Sequence, residues 1–97
     1  LNSIIKLAIE NKQVLELRYN EKVRLVEPHC YGTDKNGEEK LRCYQQGNRG
    51  LVYDKGAWKI LSVSEIRNLT ATGNNFRGPR PDYNPDDPQI SRIYARL

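Results

Sequence analysis

The sequence predicts a small, mostly-β domain: five short antiparallel strands bent into a barrel, with one helix ahead of them and a short helix behind. Three observations lead there. The 97 residues allow one hydrophobic core, because half the chain would bury too little apolar surface to fold alone. From Val14 to Thr72 apolar side chains recur mainly with the two-residue period of strands, interrupted at short intervals by turn-forming residues. Helical spacing is confined to the two ends, where a helix is placed to cover an open end of a barrel.

Residues 3–11 (SIIKLAIEN) set Ile4, Ile5, Ala8 and Ile9 at helical spacing, with Lys6 and Glu10 on the far side and Asn2 or Ser3 as N-cap. A helix this short is marginal alone, so its apolar stripe needs the rest of the domain. From Val14 the period is two, and the polar pair Asn20-Glu21 turns the chain into a second strand running through Val23 to Tyr31. Pro28 cannot donate a ladder hydrogen bond, so an edge or a bulge is expected there. Asp34-Lys35-Asn36-Gly37 is a turn signal, and Lys40–Gln45 the third strand. The glycine-rich stretch 46–56 reads as a long surface loop carrying Arg49, Tyr53 and Lys55. Ala57–Ser62 is the fourth strand, Val63-Ser64-Glu65 a tight turn, and Ile66–Thr72 the fifth strand. After Phe76 the run RGPRPDYNPDDP holds four of the five prolines and forbids a regular ladder. Residues 1–76 are therefore read as a barrel domain with its helix, and 77–97 as a Pro-rich tether and C-terminal helix. That helix would be capped by Asp86 or Asp87, with Pro88 in its first turn and Ile90, Ile93, Tyr94 and Leu97 as its apolar stripe.

Composition narrows the function. Sixteen Lys+Arg against twelve Asp+Glu leave a net charge of +4, and a mean hydropathy of −0.80 describes a wet, mildly basic surface. The longest apolar run is three residues, far short of the roughly 20 that a membrane-spanning helix needs. Two cysteines without a CxxC pair argue against a zinc module or a disulfide scaffold, and point to a reducing, cytoplasmic setting. No metal and no cofactor is expected: one histidine and two separated cysteines cannot close a four-ligand shell, and no phosphate-loop spacing occurs. The chain starts at Leu1 rather than Met and reads as a fragment, with room for a DNA-binding domain ahead of it.

The segments LRYNEKVRLVEPHCYGTDKNGEEKLRCY and WKILSVSEIRNL resemble the WYL domain, over residues 3–76. The most specific piece is Arg24-Leu25-Val26-Glu27-Pro28, supported by Leu41-Arg42-Cys43-Tyr44 and by Leu61 to Ile66. The tryptophan and tyrosine of the naming tripeptide fall on Glu39 and Lys40, with Leu41 kept, and the family's two late arginines fall on Lys59 and Glu65. The resemblance implies a Sm-like or SH3-like barrel that serves bacterial transcription regulators, and some CRISPR-associated proteins, as a ligand-sensing domain. It also implies a basic groove suited to nucleic acid or a nucleotide-like anion.

The residues themselves suggest where such a groove lies. Alternation puts Lys40, Arg42 and Tyr44 on one side of the third strand and Leu41 and Cys43 on the other. If the turn after Asp34 closes as a three-residue loop, Cys30 faces Arg42 and Tyr31 faces Leu41. Arg24, Val26, Pro28 and Cys30 then share a face with Arg42 and Tyr44. A two-residue Asn36-Gly37 turn would instead pair Cys30 with Cys43. The first register is preferred, because it buries Tyr31 and gathers the arginines. Arg24, Arg42 and Lys59, with Tyr44 and Tyr19, are the expected ligand-binding residues: guanidinium groups are bidentate donors for phosphate, and aromatic rings stack on bases. Ligand binding would reposition a preceding domain.

No catalytic residues are expected, since His29 lacks a nucleophile and an orienting carboxylate, and Cys30 beside it points the other way. His29 reads as a satisfied strand residue, the cysteines as buried thiols and Trp58 as a packing residue. Glu27 stands open between pairing with Arg24 or Arg42 and lying solvated at an edge. The Asp82–Asp87 cluster is too short and interrupted for a calcium loop. The alternative function is an assembly module, in which the tether and C-terminal helix dock on a second copy, as a homodimer, or on a partner.

Overall fold

The computed structural model describes residues 1–47 and 55–97; Arg49 and Tyr53 lie outside the described residues. Helix α1 (Ser3–Glu10) starts at Asn2, whose side-chain oxygen accepts a hydrogen bond from the Ile5 amide at 3.1 Å. Ile5, Ala8 and Ile9 are buried, whereas Ile4, expected in the same stripe, is 42% exposed. Six strands follow: β1 (Gln13–Tyr19), β2 (Lys22–Thr33), β3 (Glu39–Gln45), β4 (Ala57–Ser62), β5 (Arg67–Asn75) and β6 (Arg92–Arg96). The β1–β2 turn has Asn20 and Glu21 at φ 50° and 65°, the pair of positive angles that a tight two-residue hairpin turn with the right-handed twist demands.

The strands form one antiparallel sheet in the order β4-β3-β2-β1-β5, with β6 added against β2. Leu15 and Leu17 of β1, Val26 and Tyr31 of β2, Leu41 and Cys43 of β3 and Leu61 of β4 make the core with the buried face of α1. The two edge strands, β4 and β5, are joined by a single 3₁₀ turn at Val63–Glu65 but do not hydrogen-bond to each other. The sheet is thus open along this seam, where a closed five-stranded barrel was expected.

Two features of the last third differ from expectation. Residues 92–96 form a strand, not a helix. Gly32 makes this possible: a Cβ there would collide with the Arg92 carbonyl, so only glycine lets β6 approach β2 this closely. The Ser91 amide donates to Thr33 O at 2.8 Å and the Leu97 amide to His29 O at 2.9 Å, closing both ends of the ladder. Residues 76–90, expected to be a tether after Phe76 and a helix from Pro88, lie as a strap along the outer face of β2, β3 and β4. Phe76 and Tyr83 pack on His29, Tyr83 stacks on Trp58, and Ile90 is buried. The prolines do prevent a ladder there, but side-chain contacts dock the segment all the same.

The preferred β2–β3 register holds beyond the bulge: Cys30 faces Arg42 and Tyr31 faces Leu41. Before it, Pro28 faces Cys43 and Glu27 faces Tyr44, so His29 is an extra residue. This is the bulge that a proline inside a central strand requires. A bulge of one residue reverses which side chains face which side, and that reversal decides the site.

Candidate functional site

The five expected ligand-binding residues are not on one face: the bulge parts Arg24 from Arg42 and Tyr44, and the unbroken β3–β4 register parts Lys59 from them. Arg24 lies opposite Leu17 in the β1–β2 ladder, and Lys59 lies opposite Cys43 in the β3–β4 ladder. Alternation along β1 puts Tyr19 on the same side as Leu15 and Leu17. Tyr19, Arg24 and Lys59 therefore share the inner, core-side face at its rim. Arg42 and Tyr44 are on the outer face, beneath the strap. The expectation that Arg24 shares a face with Arg42 and Tyr44 is corrected: Glu27, not Arg24 or Pro28, lies alongside them.

On the inner face the Arg24 guanidinium is held in place by uncharged acceptors. Its Nε donates to Tyr19 O at 3.2 Å and its Nη1 to Gln45 Oε1 at 2.9 Å, with the group 5.7 Å from the Tyr19 ring centroid. The Tyr19 hydroxyl donates to Glu65 Oε2 and accepts from the Ser62 amide, both at 3.0 Å, tying β1 to the 3₁₀ turn. Among the described residues, neither Arg24 nor Lys59 has a carboxylate within ion-pair distance. Burial pushes the Cys43 thiol up to about 12, and the positive charges of Arg42, Arg24 and Lys59 pull against it. Of these three cations, Arg24 and Lys59 lie on the thiol's own face.

The outer face is self-neutralised. Arg42 Nε donates to Asp87 Oδ2 at 2.6 Å and Nη2 to Oδ1 at 3.3 Å, and the Gln89 amide also donates to Asp87. Asp87 is 5% exposed; burial would raise its pKa, but the bonds from Arg42 and Gln89 outweigh that and hold it below the usual carboxylate range. Glu27 takes neither of the partners considered for it. Arg80 of the strap donates to both its oxygens, at 2.8 and 2.9 Å, and Gln46 Nε2 adds a third bond at 3.0 Å. These bonds likewise overcome burial and lower its pKa. The Arg80 guanidinium lies over the Tyr44 ring, 4.5 Å from its centroid. No local signal could have found these pairs, whose partners are 45 and 53 residues apart in the chain.

His29 is wholly buried and both ring nitrogens are used. The Arg80 amide can only donate, so Nε2, at 3.1 Å, accepts, and Nδ1 carries the proton it donates to Glu27 O at 2.8 Å. Burial lowers its pKa, and the Arg80 charge acts in the same direction. Cys30, raised to about 11 chiefly by burial, is, like Cys43, a buried thiol with little thiolate at neutral pH. Trp58 packs edge-on against His29 and Tyr44 and donates from Nε1 to Pro81 O at 3.2 Å, a packing role under the strap.

Two hollows flank this outer structure. One, of about 210 Å³, is lined by Arg42, Trp58, Asp82, Tyr83, Asn84, Asp87 and Pro88. The other, of about 450 Å³, lies where the strap leaves β5, between Glu27, Gln46 and residues 75–80. Among the described residues, no group of three or more His, Cys, Asp or Glu side chains is placed to hold a metal ion, and no helix is long and apolar enough to cross a membrane. No family model, no curated protein and no solved structure matches the chain.

Proposed function

We propose that this chain is a non-enzymatic, ligand-sensing domain of the WYL kind, of the sort that bacterial transcription regulators carry, and that it binds a phosphate-bearing anion on the rim formed by Tyr19, Arg24 and Lys59. The observation that carries the reading is that Arg24 and Lys59 share one face with the same buried thiol, and that neither has a carboxylate at ion-pair distance among the described residues. Arg24 is also fixed by two acceptors, so little side-chain entropy is lost when a ligand binds its remaining N–H groups. The Sm-like barrel reading draws support from the strand order, in which the two edge strands are consecutive in sequence and joined by one 3₁₀ turn. Arg42 and Tyr44 belong to the strap's anchorage in this reading and not to the ligand.

The assembly alternative loses the surface it relied on, since Ile90 is buried and Ile93, Tyr94 and Leu97 are half-buried against the chain's own sheet. The test is binding of a mixed-sequence single-stranded oligonucleotide, and of nucleoside mono- and diphosphates, followed by fluorescence anisotropy and calorimetry over a range of salt. Arg24→Gln and Lys59→Gln should each weaken binding. For the oligonucleotide each should also reduce the slope of log K against log salt by about 0.7, one phosphate's worth on a single strand. Unchanged affinity and slope in both variants would remove Arg24 and Lys59 from the site and end the proposal.

A further inference from the structure

We propose a second anion site, independent of the first, in the hollow of about 450 Å³ bounded by β3, the end of β5 and the start of the strap, built from Lys12, Arg77 and Arg80 and suited to a phosphate group. Arg77 and Arg80 line it with Gln46, Asn75 and Gly78. Lys12 lies beside it: its Cε is 4.0 Å from where a Cβ on Gly78 would stand. Gly78 itself is at φ 147°, a backbone angle that leaves glycine as the residue of choice. Among the described residues of the lining the single carboxylate, Glu27, is 3% exposed and occupied by Arg80 and Gln46.

The charges decide what the hollow takes. Three cations face one committed carboxylate. The Lys12 and Arg77 side chains make no hydrogen bond or ion pair among the described residues, and Arg80 keeps Nη1 uncommitted there while Nε and Nη2 hold Glu27. An anion entering the hollow relieves the mutual repulsion of these groups and meets a guanidinium already immobilised by Glu27 and the Tyr44 ring. The site also stands in a definite relation to the inner rim. Gln45 and Gln46 are consecutive, and Gln45 holds Arg24 on one face while Gln46 holds Glu27, and through it Arg80, on the other. The two basic clusters are therefore separated by the end of a single strand.

The experiment is an amide NMR titration of the 97-residue chain with two separate probes. One is sodium pyrophosphate, and the other an oligothymidylate of about ten nucleotides, a length within the range one small β-domain covers. The comparison is the Lys12→Gln/Arg77→Gln double variant, which changes two exposed side chains and leaves the Glu27–Arg80 pair intact. Pyrophosphate that shifts the Arg77 and Gly78 amides and the Asn75 and Gln46 side-chain amides, with affinity falling roughly tenfold in the variant, supports a site for free phosphates. Shifts by the oligonucleotide alone, with the salt slope falling by about 1.4 in the variant, support a site for a nucleic-acid backbone. Absence of shifts at these positions with both probes, or equal affinity of the variant, overturns the proposal. An Arg24→Gln/Lys59→Gln chain keeps this hollow intact, so loss of rim binding and loss of hollow binding are read separately.

Discussion

Arg80→Gln is the most revealing single change, because it removes the cation from a carboxylate that has almost no access to water. Glu27 is 3% exposed and accepts two bonds from Arg80, at 2.8 and 2.9 Å, and one from Gln46. Breaking a buried ion pair by deleting one partner costs about 3–5 kcal/mol. The Arg80 side chain is 41% exposed, so water and screening recover part of this, and the loss should be about 2–3 kcal/mol. In a domain of this length that lowers Tm by about 10–20 °C. The pH dependence identifies the cause. In the native chain the pKa of Glu27 lies below its ordinary value of 4.5, so its contribution is present above that value and lost as pH falls through the folded-state value. Without Arg80, burial dominates and raises the pKa, so the penalty is full at neutral pH and disappears once acid protonates the carboxylate. Urea unfolding of both chains at pH 7 and near pH 4 checks this, and Glu27→Gln in the Arg80→Gln background should restore much of the loss at pH 7. A deficit that is the same at both pH values, or smaller than about 0.5 kcal/mol, would refute the reasoning.

Two further outcomes follow from the same structure. The pKa of His29 is lowered, chiefly by burial, so the unfolded chain binds its proton more readily and stability should fall as pH drops below the ordinary value of 6.5 toward the folded-state value. The slope should be at most about 1.4 kcal/mol per pH unit, and His29→Gln should flatten it between pH 7.5 and 5 in urea midpoints; a slope unchanged in the variant would assign it to another group. Gly32→Ala drives a methyl group into the Arg92 carbonyl, which as backbone cannot step aside, so β6 should lift from β2 at a cost of at least about 1–3 kcal/mol. Hydrogen exchange reads it directly: the Ser91 and Leu97 amides, bonded to Thr33 O and His29 O, should lose protection, and full protection would show that the ladder tolerates the methyl group.

Much of the fold was legible because it is local. The N-cap at Asn2, the Asn20-Glu21 turn, the 3₁₀ turn at Val63–Glu65 and strands β1 to β5 each follow from residues within a few positions of one another. Pro28 announced an edge or a bulge, but not its effect: one extra residue between Pro28 and Cys30 is what sets Glu27, and not Arg24, on the face of Tyr44. The placement of the candidate residues was legible only in part, for the same reason. Tyr19, Arg24 and Lys59 share the inner face, while Arg42 is drawn away by Asp87, one of the two residues, with Asp86, that the sequence offers as a helix cap. At the C-terminus, Ile90, Ile93, Tyr94 and Leu97 fit a helical stripe, yet Ile93, Ala95 and Leu97 fit a strand equally well. What selects the strand is an open edge of β2 with a glycine at the point of closest approach.

The amino-acid sequence by itself determined the local grammar of this protein: one core, a capped helix, a run of short strands with their turns, and two buried thiols. Tertiary structure alone decided that the proline-rich segment is a docked strap, that the last residues are a sixth strand, and that the arginines divide between two faces. The physical reason is range. Backbone dihedrals and side-chain periodicity are set by near neighbours, whereas the partners of Glu27, Arg42 and His29 are supplied by residues 45 to 53 positions away, which no local pattern specifies.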